Sequence, residues 1–293
     1  MTKRFEFGRL VFLAPWLLGF ILFTAGPALV SLVLSFTNYS LFTSPRWVGL
    51  ANYRQLFFSD SNFHSALIVT TAYVVVSVPL CLAAALGVAT LLTGASLSNY
   101  IYRTIFYIPS LLGASVAVAI LWKQVFGING LVNDALSAVG VVGPSWISDP
   151  RFALSTLIAL NVWQFGIPMV LFIAGLKQIP RELYEAALID GASAWRKFTR
   201  ITLPMLSPVI LLAIIFLTIN SFQAFTQDFI ISGGSGGPLN ATLFLSLYIY
   251  QEGFIYFHMG YASAIAWILL IMTGTMSGLF IYSSRWWVHY GGR

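Results

Sequence analysis

Five amide side chains lie inside segments that are otherwise apolar, and they are the first candidates for chemistry in this sequence. Asn220, Gln223 and Gln227 are spaced i, i+3 and i+7, which places them on one face of a helix. Asn161 and Gln164 repeat the i, i+3 spacing in an earlier apolar segment. An amide can donate to and accept from a hydroxyl group, so such a face suits a polar, uncharged ligand. Because amides are costly to expose to lipid, both faces should point into the protein.

Two interpretations of these amides stay open. They can line a substrate pathway, where the neighbouring rings of Trp163, Phe222 and Phe225 would stack on the faces of a sugar. They can instead hydrogen-bond between helices and hold the fold together. No Lys or Arg lies deep in the last three apolar segments, and an anionic ligand normally requires one. The pathway interpretation therefore favours a neutral sugar, although a partner subunit could supply a charge.

The composition places these amides in a membrane protein. Of the 293 residues, 58% are hydrophobic and only 8% are charged, whereas a soluble domain carries about 25% charged residues. The net charge of +6 does not indicate nucleic-acid binding, because the basic residues are dispersed at the ends of apolar segments. The one cysteine, Cys81, lies in an apolar segment and should be a small buried side chain.

Six apolar segments are each long enough to cross a bilayer, so we expect an all-α membrane protein with one transmembrane domain, 1–293. The first segment is about 25 residues long, too long for the apolar region of a cleaved signal peptide, and is interpreted as an uncleaved span. The glycine-rich stretch 232–240 predicts a turn or re-entrant loop, and 241–259 a short helix at or partly in the membrane. The predicted spans are 10–34, 66–92, 101–122, 152–176, 205–229 and 260–283.

The basic residues predict the orientation of these spans. With both termini in the cytoplasm, most of the 15 Lys and Arg residues fall on the cytoplasmic side, as the positive-inside rule requires. The cytoplasmic set is Lys3, Arg4, Arg9, Arg103, Lys177, Arg181, Arg196, Lys197, Arg200, Arg285 and Arg293. The outer set is Arg46, Arg54, Lys123 and Arg151.

Residues 177–204, here called the charged hairpin, form the longest stretch that is both charged and patterned as helix. Pro180 suits the first turn of a helix, and Glu185 follows in an early turn, where a carboxylate complements the helix dipole. Gly191 tolerates the left-handed conformation and should end this first helix. We therefore expect a helix, a glycine stop and a second helix between spans four and five.

The second helix of the charged hairpin should begin after a Ser193 cap and end at Pro204. An ordinary charged loop would explain the basic residues of this stretch. It would not explain the apolar edge of the first helix, Leu183 and Ala187, which has no membrane to enter. A groove on a partner protein would explain this edge.

Several kinds of chemistry have no basis in the sequence. A GxxxxGK[ST] phosphate loop is absent, so we expect no ATP binding of that kind. The three histidines, His64, His258 and His289, are too scattered for a haem or zinc site. The span centres are nearly free of charge, unlike those of a proton-coupled carrier, since Asp228 and Glu252 lie near predicted ends. A membrane enzyme, a redox protein and an ion-driven carrier are disfavoured.

The charged hairpin resembles the EAA loop of ABC importer permeases, whose spacing EAA-x3-G-x9-I-x-LP it matches without departure. The matching residues are Glu185, Ala186, Ala187, Gly191, Ile201, Leu203 and Pro204. The stretches LAPWLLGFILFTAGPALVSLVLSFTNYSLF, RWVGLANYRQLF and FHMGYASAIAWILLI are similar to sugar permeases related to the maltose system. The large extracellular insert of the most similar maltose subunit is missing.

This resemblance implies a type I ABC importer permease with a cytoplasmic coupling helix that sits in a cleft of an ATPase. Glu185 would be its polar anchor and Gly191 its bend. The chain would be a non-catalytic, multi-pass subunit of a bacterial inner membrane, in contact with lipid, and would hold no cofactor. It would pair with a second permease subunit as a heterodimer. Two ATPase chains would bind ATP and Mg, and an extracytoplasmic solute-binding protein would deliver a carbohydrate for alternating-access import.

Two alternatives remain beside this expectation. A glycerol-3-phosphate or anionic-saccharide permease subunit would share the same motifs. A self-sufficient secondary carrier would lack an ATPase, and co-purification of an ATPase would separate it from the first two.

Overall fold

The computed structural model describes residues 12–113 and 115–289. Within these residues the regular secondary structure is helical, and the only extended pairing is two isolated bridges. The predicted all-α fold class is confirmed. In chain order the helices are α1 Phe12–Ser35, α2 Ala51–Phe58, α3 Ser61–Leu91, α4 Leu97–Leu112, α5 Val116–Val125, α6 Leu131–Ala138, α7 Pro150–Trp163, α8 Gly166–Gln178, α9 Arg181–Ile189, α10 Ala194–Lys197, α11 Leu203–Phe222, α12 Thr226–Ser232, α13 Leu245–Tyr250 and α14 Met259–Trp287.

Among the described residues, four helical stretches are long and apolar enough to cross a membrane. Two bent pairs, α4 with α5 and α7 with α8, bring the number to six if each pair is one span. The start of the predicted first span, 10–34, and the basic residues Lys3, Arg4, Arg9 and Arg293 lie outside the described residues. The four unbroken stretches are Phe12–Ser35, Ser61–Leu91, Ala194–Ser232 and Met259–Trp287.

The fourth span is interrupted at its centre for a reason visible in the sequence. Helix α7 ends at Trp163, and α8 begins at Gly166 with a bend of 40° between them. Pro168 has no N–H to offer the carbonyl of Gln164, and its ring would clash with that carbonyl in a regular helix. The freed Gln164 carbonyl accepts a hydrogen bond from Ser110 Oγ at 2.8 Å, so a neighbouring helix satisfies it.

The second helix of the charged hairpin does not end at Pro204, and that expectation was wrong. Helix α10 passes into a π-helical segment, Phe198–Thr202, and then into α11 without leaving the helical conformation. Pro204 lies in the first turn of α11, where a missing N–H is tolerated. The wider π turn shifts the hydrogen bonds so that Leu203 N–H reaches the Phe198 carbonyl. The charged hairpin is therefore continuous with a membrane span.

The described residues form two compact units. The larger unit, 62–247 with 269–289, has one apolar cluster around Tyr73, Leu160 and Phe222. Its second cluster packs the small residues Ala85 and Ala89 of α3 with side chains of α8 and α11. Cys81 is buried in the first cluster, as the sequence predicted.

The smaller unit comprises residues 12–61 and 248–268. Asn52 in α2 donates hydrogen bonds to the carbonyls of Ser35 and Thr37, at 2.7 Å and 2.9 Å, and fixes the loop that follows α1. Gly260, at the start of α14, packs directly on this loop. A Cβ atom there would lie 2.1 Å from the Thr37 carbonyl oxygen, so the close approach requires glycine.

Candidate functional site

All five predicted amides line one cavity of about 300 Å³ in the larger unit, here called the amide cavity. It lies where helices are interrupted: at the end of α4, between α7 and α8, and between α11 and α12. The cavity has no Asp, Glu, Lys, Arg or His among its lining residues. In transporters, broken helices near the membrane centre expose backbone groups and form solute sites. The predicted residues are Asn161, Gln164, Asn220, Gln223 and Gln227.

Gln164 and Gln227 hold the amide cavity together. The Nε2 atom of Gln164 donates to the Gly113 carbonyl at 2.9 Å, which satisfies the backbone at the end of α4. Gln227, which is buried, donates from its own Nε2 to Gln164 Oε1 at 3.3 Å. For these two residues, the interpretation that amides hydrogen-bond between helices and hold the fold together applies. Their hydrogen bonds join three broken helices.

Asn220 and Gln223 are exposed and differ from this pair. Asn220 Nδ2 donates to the Phe216 carbonyl of its own helix at 2.8 Å, which leaves its Oδ1 atom as a hydrogen-bond acceptor. The Gln223 side chain makes no hydrogen bond within the described residues. Asn161 lies beside the Tyr73 hydroxyl, and its buried Oδ1 atom has no hydrogen bond of normal geometry among the described residues. These three side chains have the capacity to bind a hydroxyl-bearing solute.

Of the three aromatic residues named as stacking candidates, the structure brings one to the amide cavity. Phe225 lines the amide cavity. Phe222 is buried in the apolar cluster, and the Trp163 ring lies against Trp122 in a tilted arrangement, with ring centroids 5.8 Å apart. The sequence reasoning missed Ser110 and Gly113, which also line the cavity. The sequence did contain a signal for these two residues, because Pro109 and Gly113 indicate that an apolar helix ends there.

The charged hairpin folds as its capping residues predict. Pro180 precedes α9, and Gly191 follows it with a φ of +69° in the left-handed region. Ala192 N–H donates to the Ala187 carbonyl at 2.9 Å, and Gly191 N–H to the Leu188 carbonyl at 3.0 Å. This pair of bonds is a Schellman motif, which requires the left-handed residue. The motif reverses the chain, and Ala187 of α9 and Arg196 of α10 line one groove.

The two arms of the charged hairpin are tied to each other. The side chain of Ser193 caps α10 by accepting from Arg196 N–H at 3.3 Å. The Tyr184 hydroxyl of α9 shares a hydrogen bond of 2.9 Å with Thr202 Oγ1 in the π-helical segment. This hydrogen bond joins α9 to the segment that leads into α11.

The predicted coupling residues divide between the surface of the charged hairpin and its inner groove. Glu185 and Ala186 are exposed, and Glu185 forms no ion pair or hydrogen bond within the described residues. Ala187 and Ile201 line a groove of about 560 Å³ between the arms. Leu203 and Pro204 are half-buried at the start of α11. The basic side chains of this groove are Arg196, Lys197 and Arg200.

The apolar surface of the charged hairpin is larger than the sequence suggested. Leu183 was predicted as an apolar edge and is 41% exposed. Ala187, the other predicted member, faces the groove instead. Leu188, Ile189 and Trp195 were missed, and they are 67%, 88% and 73% exposed. An exposed apolar group of this kind beside charged residues is typical of a protein–protein interface.

Comparison with solved structures gives the class of this fold. The chain superposes on a chain of a bacterial alginate ABC transporter, crystallised with an alginate pentasaccharide-bound periplasmic protein, with a TM-score of 0.82. The match covers 97% of this chain and 95% of that chain at 23% identity. The chain therefore has the fold of that chain of an ABC transporter.

Sequence comparison identifies the family. The chain belongs to the family described as binding-protein-dependent transport system inner membrane component, whose model matches residues 85–286. It is 48% identical to the probable ABC transporter permease protein YesP of Bacillus subtilis, over 95% of this chain and 91% of that protein. It is 34% identical to the lactose transport system permease protein LacF of Rhizobium radiobacter, over 97% of this chain and 96% of that protein.

Proposed function

We propose that this chain is one of two permease subunits of an ABC importer that moves a neutral sugar or oligosaccharide into a bacterial cell. The amide cavity carries this proposal, because its polar lining consists of amides, hydroxyls and backbone groups without a charged side chain. Sugar hydroxyl groups both donate and accept hydrogen bonds, so they match the amides of Asn161, Asn220 and Gln223. An anionic glycan would require a cation that this lining lacks.

The names of two relatives support a carbohydrate as the substrate class. LacF is named as a lactose permease, and AraP of Bacillus subtilis is named as a permease for arabinooligosaccharides. AraP is 34% identical to this chain over 89% of its length and 83% of that protein. Both names specify carbohydrates, and we extend that class to the chain without choosing one sugar.

The charged hairpin supports an ATPase as the energy source. Its exposed apolar side chains and the basic groove between its arms offer a surface for a cytoplasmic protein. Closure of two ATPase chains would press on α9, and the Tyr184–Thr202 contact would pass the movement to α11, which lines the amide cavity. The chain itself would then be non-catalytic, and the ATPase chains would bind ATP and Mg.

The remaining assignments follow from the family and the charge distribution. An extracytoplasmic binding protein would deliver the sugar, and a second permease subunit would complete the pathway as a heterodimer. The chain would lie in the inner membrane with the charged hairpin and both termini in the cytoplasm, an orientation that the basic residues of the charged hairpin support. The transport cycle would be alternating access.

The test is ATP-dependent uptake by the transporter purified through this chain and reconstituted in vesicles. The neutral panel is lactose, maltose and arabinobiose, and the anionic panel is digalacturonate and glycerol-3-phosphate. We expect uptake of a neutral solute, with a KM about tenfold higher in Asn220→Ala and in Gln223→Ala because each loses a hydrogen bond to a hydroxyl.

Gln124→Ala is the matched control, since Gln124 is an exposed amide of α5 outside the amide cavity. It should transport as the unchanged chain does. Uptake of the anionic panel alone would favour the anionic-saccharide or glycerol-3-phosphate alternative. Normal KM values in both cavity variants would contradict the assigned role of the amides.

A further inference from the structure

A second cavity, of about 470 Å³, lies in the smaller unit and is here called the acidic pocket. Its walls are the loop after α1, helix α2, and the segment from α13 to the start of α14. Its lining comprises two carboxylates, three tyrosines and one histidine, with uncharged amides and hydroxyls, and it includes no Lys or Arg. None of the functions assigned above uses this pocket.

The first carboxylate of the acidic pocket, Asp60, is fixed by two tyrosines. Tyr248 donates its hydroxyl to Asp60 Oδ2 at 2.6 Å, and Tyr261 donates to the same oxygen at 2.5 Å. Burial raises the pKa of Tyr248 far above its usual range, and the Asp60 carboxylate adds to this shift, so Tyr248 remains a donor. The Asp60 side chain is therefore preorganised at the wall of the pocket.

The second carboxylate, Glu252, is positioned by unusual backbone. It lies in a π-helical segment, Gln251–Ile255, and π turns are frequent at functional sites. Phe257 follows with a φ of +62°, which is uncommon for a bulky residue, and its ring packs edge-on against Phe42. This turn brings His258 Nδ1 within 2.8 Å of Glu252 Oε2. Backbone held in a sparsely populated conformation is often part of a functional site.

The acidic pocket is also rigidly walled. Gly260 N–H donates to the Tyr39 carbonyl at 2.9 Å, which joins the start of α14 to the loop after α1. Asn52 holds the same loop from the other side through the Ser35 and Thr37 carbonyls. The cavity is thus formed before any ligand arrives, and its volume is within the roughly 300–1,000 Å³ of small-molecule sites.

The chemistry of this lining limits the ligand class. No group of three or more His, Cys, Asp and Glu side chains in the described part of the chain could hold a metal ion, which disfavours a cation site. Two carboxylates, with one histidine and no Lys or Arg in the lining, would disfavour an anionic glycan. Carboxylates accept hydrogen bonds from hydroxyl groups, and the amides and serines of the lining offer further donors and acceptors.

We propose that the acidic pocket is a second saccharide site, which takes up a neutral sugar and discriminates against acidic ones. This inference rests on the proposed carbohydrate import and on the orientation proposed above, which places the loop after α1 outside the cytoplasm. Under this proposal, part of the preference for neutral solutes comes from residues of the acidic pocket and not from the amides of the amide cavity. Asp60 and Glu252 are the specificity-determining residues.

The binding test uses a cysteine placed in the pocket of the full chain in its transporter. Ser59 lines the acidic pocket and is exposed, and the single native cysteine, Cys81, is buried and gives little background. A membrane-impermeant maleimide should label Ser59→Cys, and lactose, maltose or arabinobiose, whichever is imported, should slow the labelling about threefold or more. Ser137→Cys, on the exposed surface of α6, is the control and should label at one rate with or without sugar. Equal labelling of Ser59→Cys with and without the imported sugar would overturn the proposal.

The selectivity test compares uptake of that sugar with uptake of digalacturonate. Glu252→Gln keeps the size of the side chain and removes its charge, and we expect the ratio of neutral to acidic uptake to fall about tenfold. Asp134→Asn, in exposed α6, removes a charge away from the pocket and should leave the ratio unchanged. An unchanged ratio in Glu252→Gln, while the unchanged transporter still imports the neutral sugar, would overturn this inference alone. Absence of any saccharide uptake by the unchanged transporter would overturn the proposed function, and this inference with it.

Discussion

The charged hairpin and the amide cavity present polar groups in opposite ways. The charged hairpin exposes Glu185, basic side chains and apolar residues such as Ile189, which is 88% exposed. The amide cavity encloses uncharged amides and backbone groups between broken helices. The first arrangement suits a large protein surface, and the second suits a small solute with hydroxyl groups. The proposed function therefore assigns the reception of force to the charged hairpin and the binding of the transported molecule to the amide cavity.

The largest expected effect would break the charged hairpin at its turn. Gly191→Pro requires a φ near −65° where Gly191 has +69°, and it removes the N–H that donates to the Leu188 carbonyl. Such a change costs about 3 kcal/mol or more locally. We expect ATP-dependent uptake to be lost while the chain still inserts in the membrane.

The control for this turn is Gly191→Asn, since asparagine tolerates the left-handed conformation. It should retain most uptake, because a side chain at Gly191 would meet open space, with no atom within 4 Å of its Cβ. If Gly191→Pro transported as well as Gly191→Asn, the turn would not be needed for coupling.

The second-largest effect is expected from charge reversal on the surface of the charged hairpin. Glu185→Lys should lower uptake at least about tenfold, and the ATPase should separate during purification, because an interaction of ~1.4 kcal/mol corresponds to tenfold in affinity. Glu182→Lys is the matched change one turn earlier on the same helix. It should lose only the helix-dipole contribution of about 0.3–1 kcal/mol and keep the ATPase bound. Equal losses in the two variants would show a general effect of charge.

A third change tests whether Gln164, in the amide cavity, stabilises the fold. Gln164→Leu removes the donor to the Gly113 carbonyl and the acceptor for Gln227. Leaving such groups unsatisfied costs about 1–3 kcal/mol, so the thermal unfolding midpoint of the purified chain should fall. Gln124→Leu, outside the cavity, should leave the midpoint nearly unchanged. A normal midpoint for Gln164→Leu would mean that the broken helices do not depend on these bonds.

The smallest expected effect concerns the link between the two regions. Tyr184→Phe removes the hydroxyl that meets Thr202 Oγ1 at 2.9 Å, a contribution of about 0.5–1.5 kcal/mol. We expect a modest fall in sugar transported per ATP hydrolysed, with the ATPase still bound. Tyr282→Phe, on the exposed part of α14, is the control. If Tyr184→Phe transported as much sugar per ATP hydrolysed as Tyr282→Phe does, this hydrogen bond would not take part in coupling ATP hydrolysis to transport.

The charged hairpin was predictable because its determinants are local. Pro180, Gly191 and Ser193 each act on the backbone within a few residues, and the structure places all three at the helix ends that the sequence indicated. The predicted end at Pro204 failed because a π turn absorbs the missing N–H, and no sequence spacing signals that shift.

The amide cavity was predictable only in part, because its shape depends on contacts between distant residues. Helical spacing placed the amides on common faces, but the break at Gln164 is stabilised by Ser110, which is 54 residues away. The acidic pocket was missed for the same reason, since Asp60 is 188 residues from Tyr248 and 201 from Tyr261. The sequence alone shows Glu252 only as a residue near the end of a predicted span.

We propose that solute binding and energy coupling occupy different regions of the chain. One variant of each region, compared in the same vesicles, tests this separation. Uptake of the imported sugar and ATP hydrolysis would be recorded together for Gln223→Ala and Glu185→Lys. We predict a KM about tenfold higher with the ATPase retained for Gln223→Ala, and loss of the ATPase with loss of uptake for Glu185→Lys. A normal KM for Gln223→Ala, or full ATP-coupled uptake by Glu185→Lys, would contradict the assignment of solute binding to the amide cavity and of energy coupling to the charged hairpin.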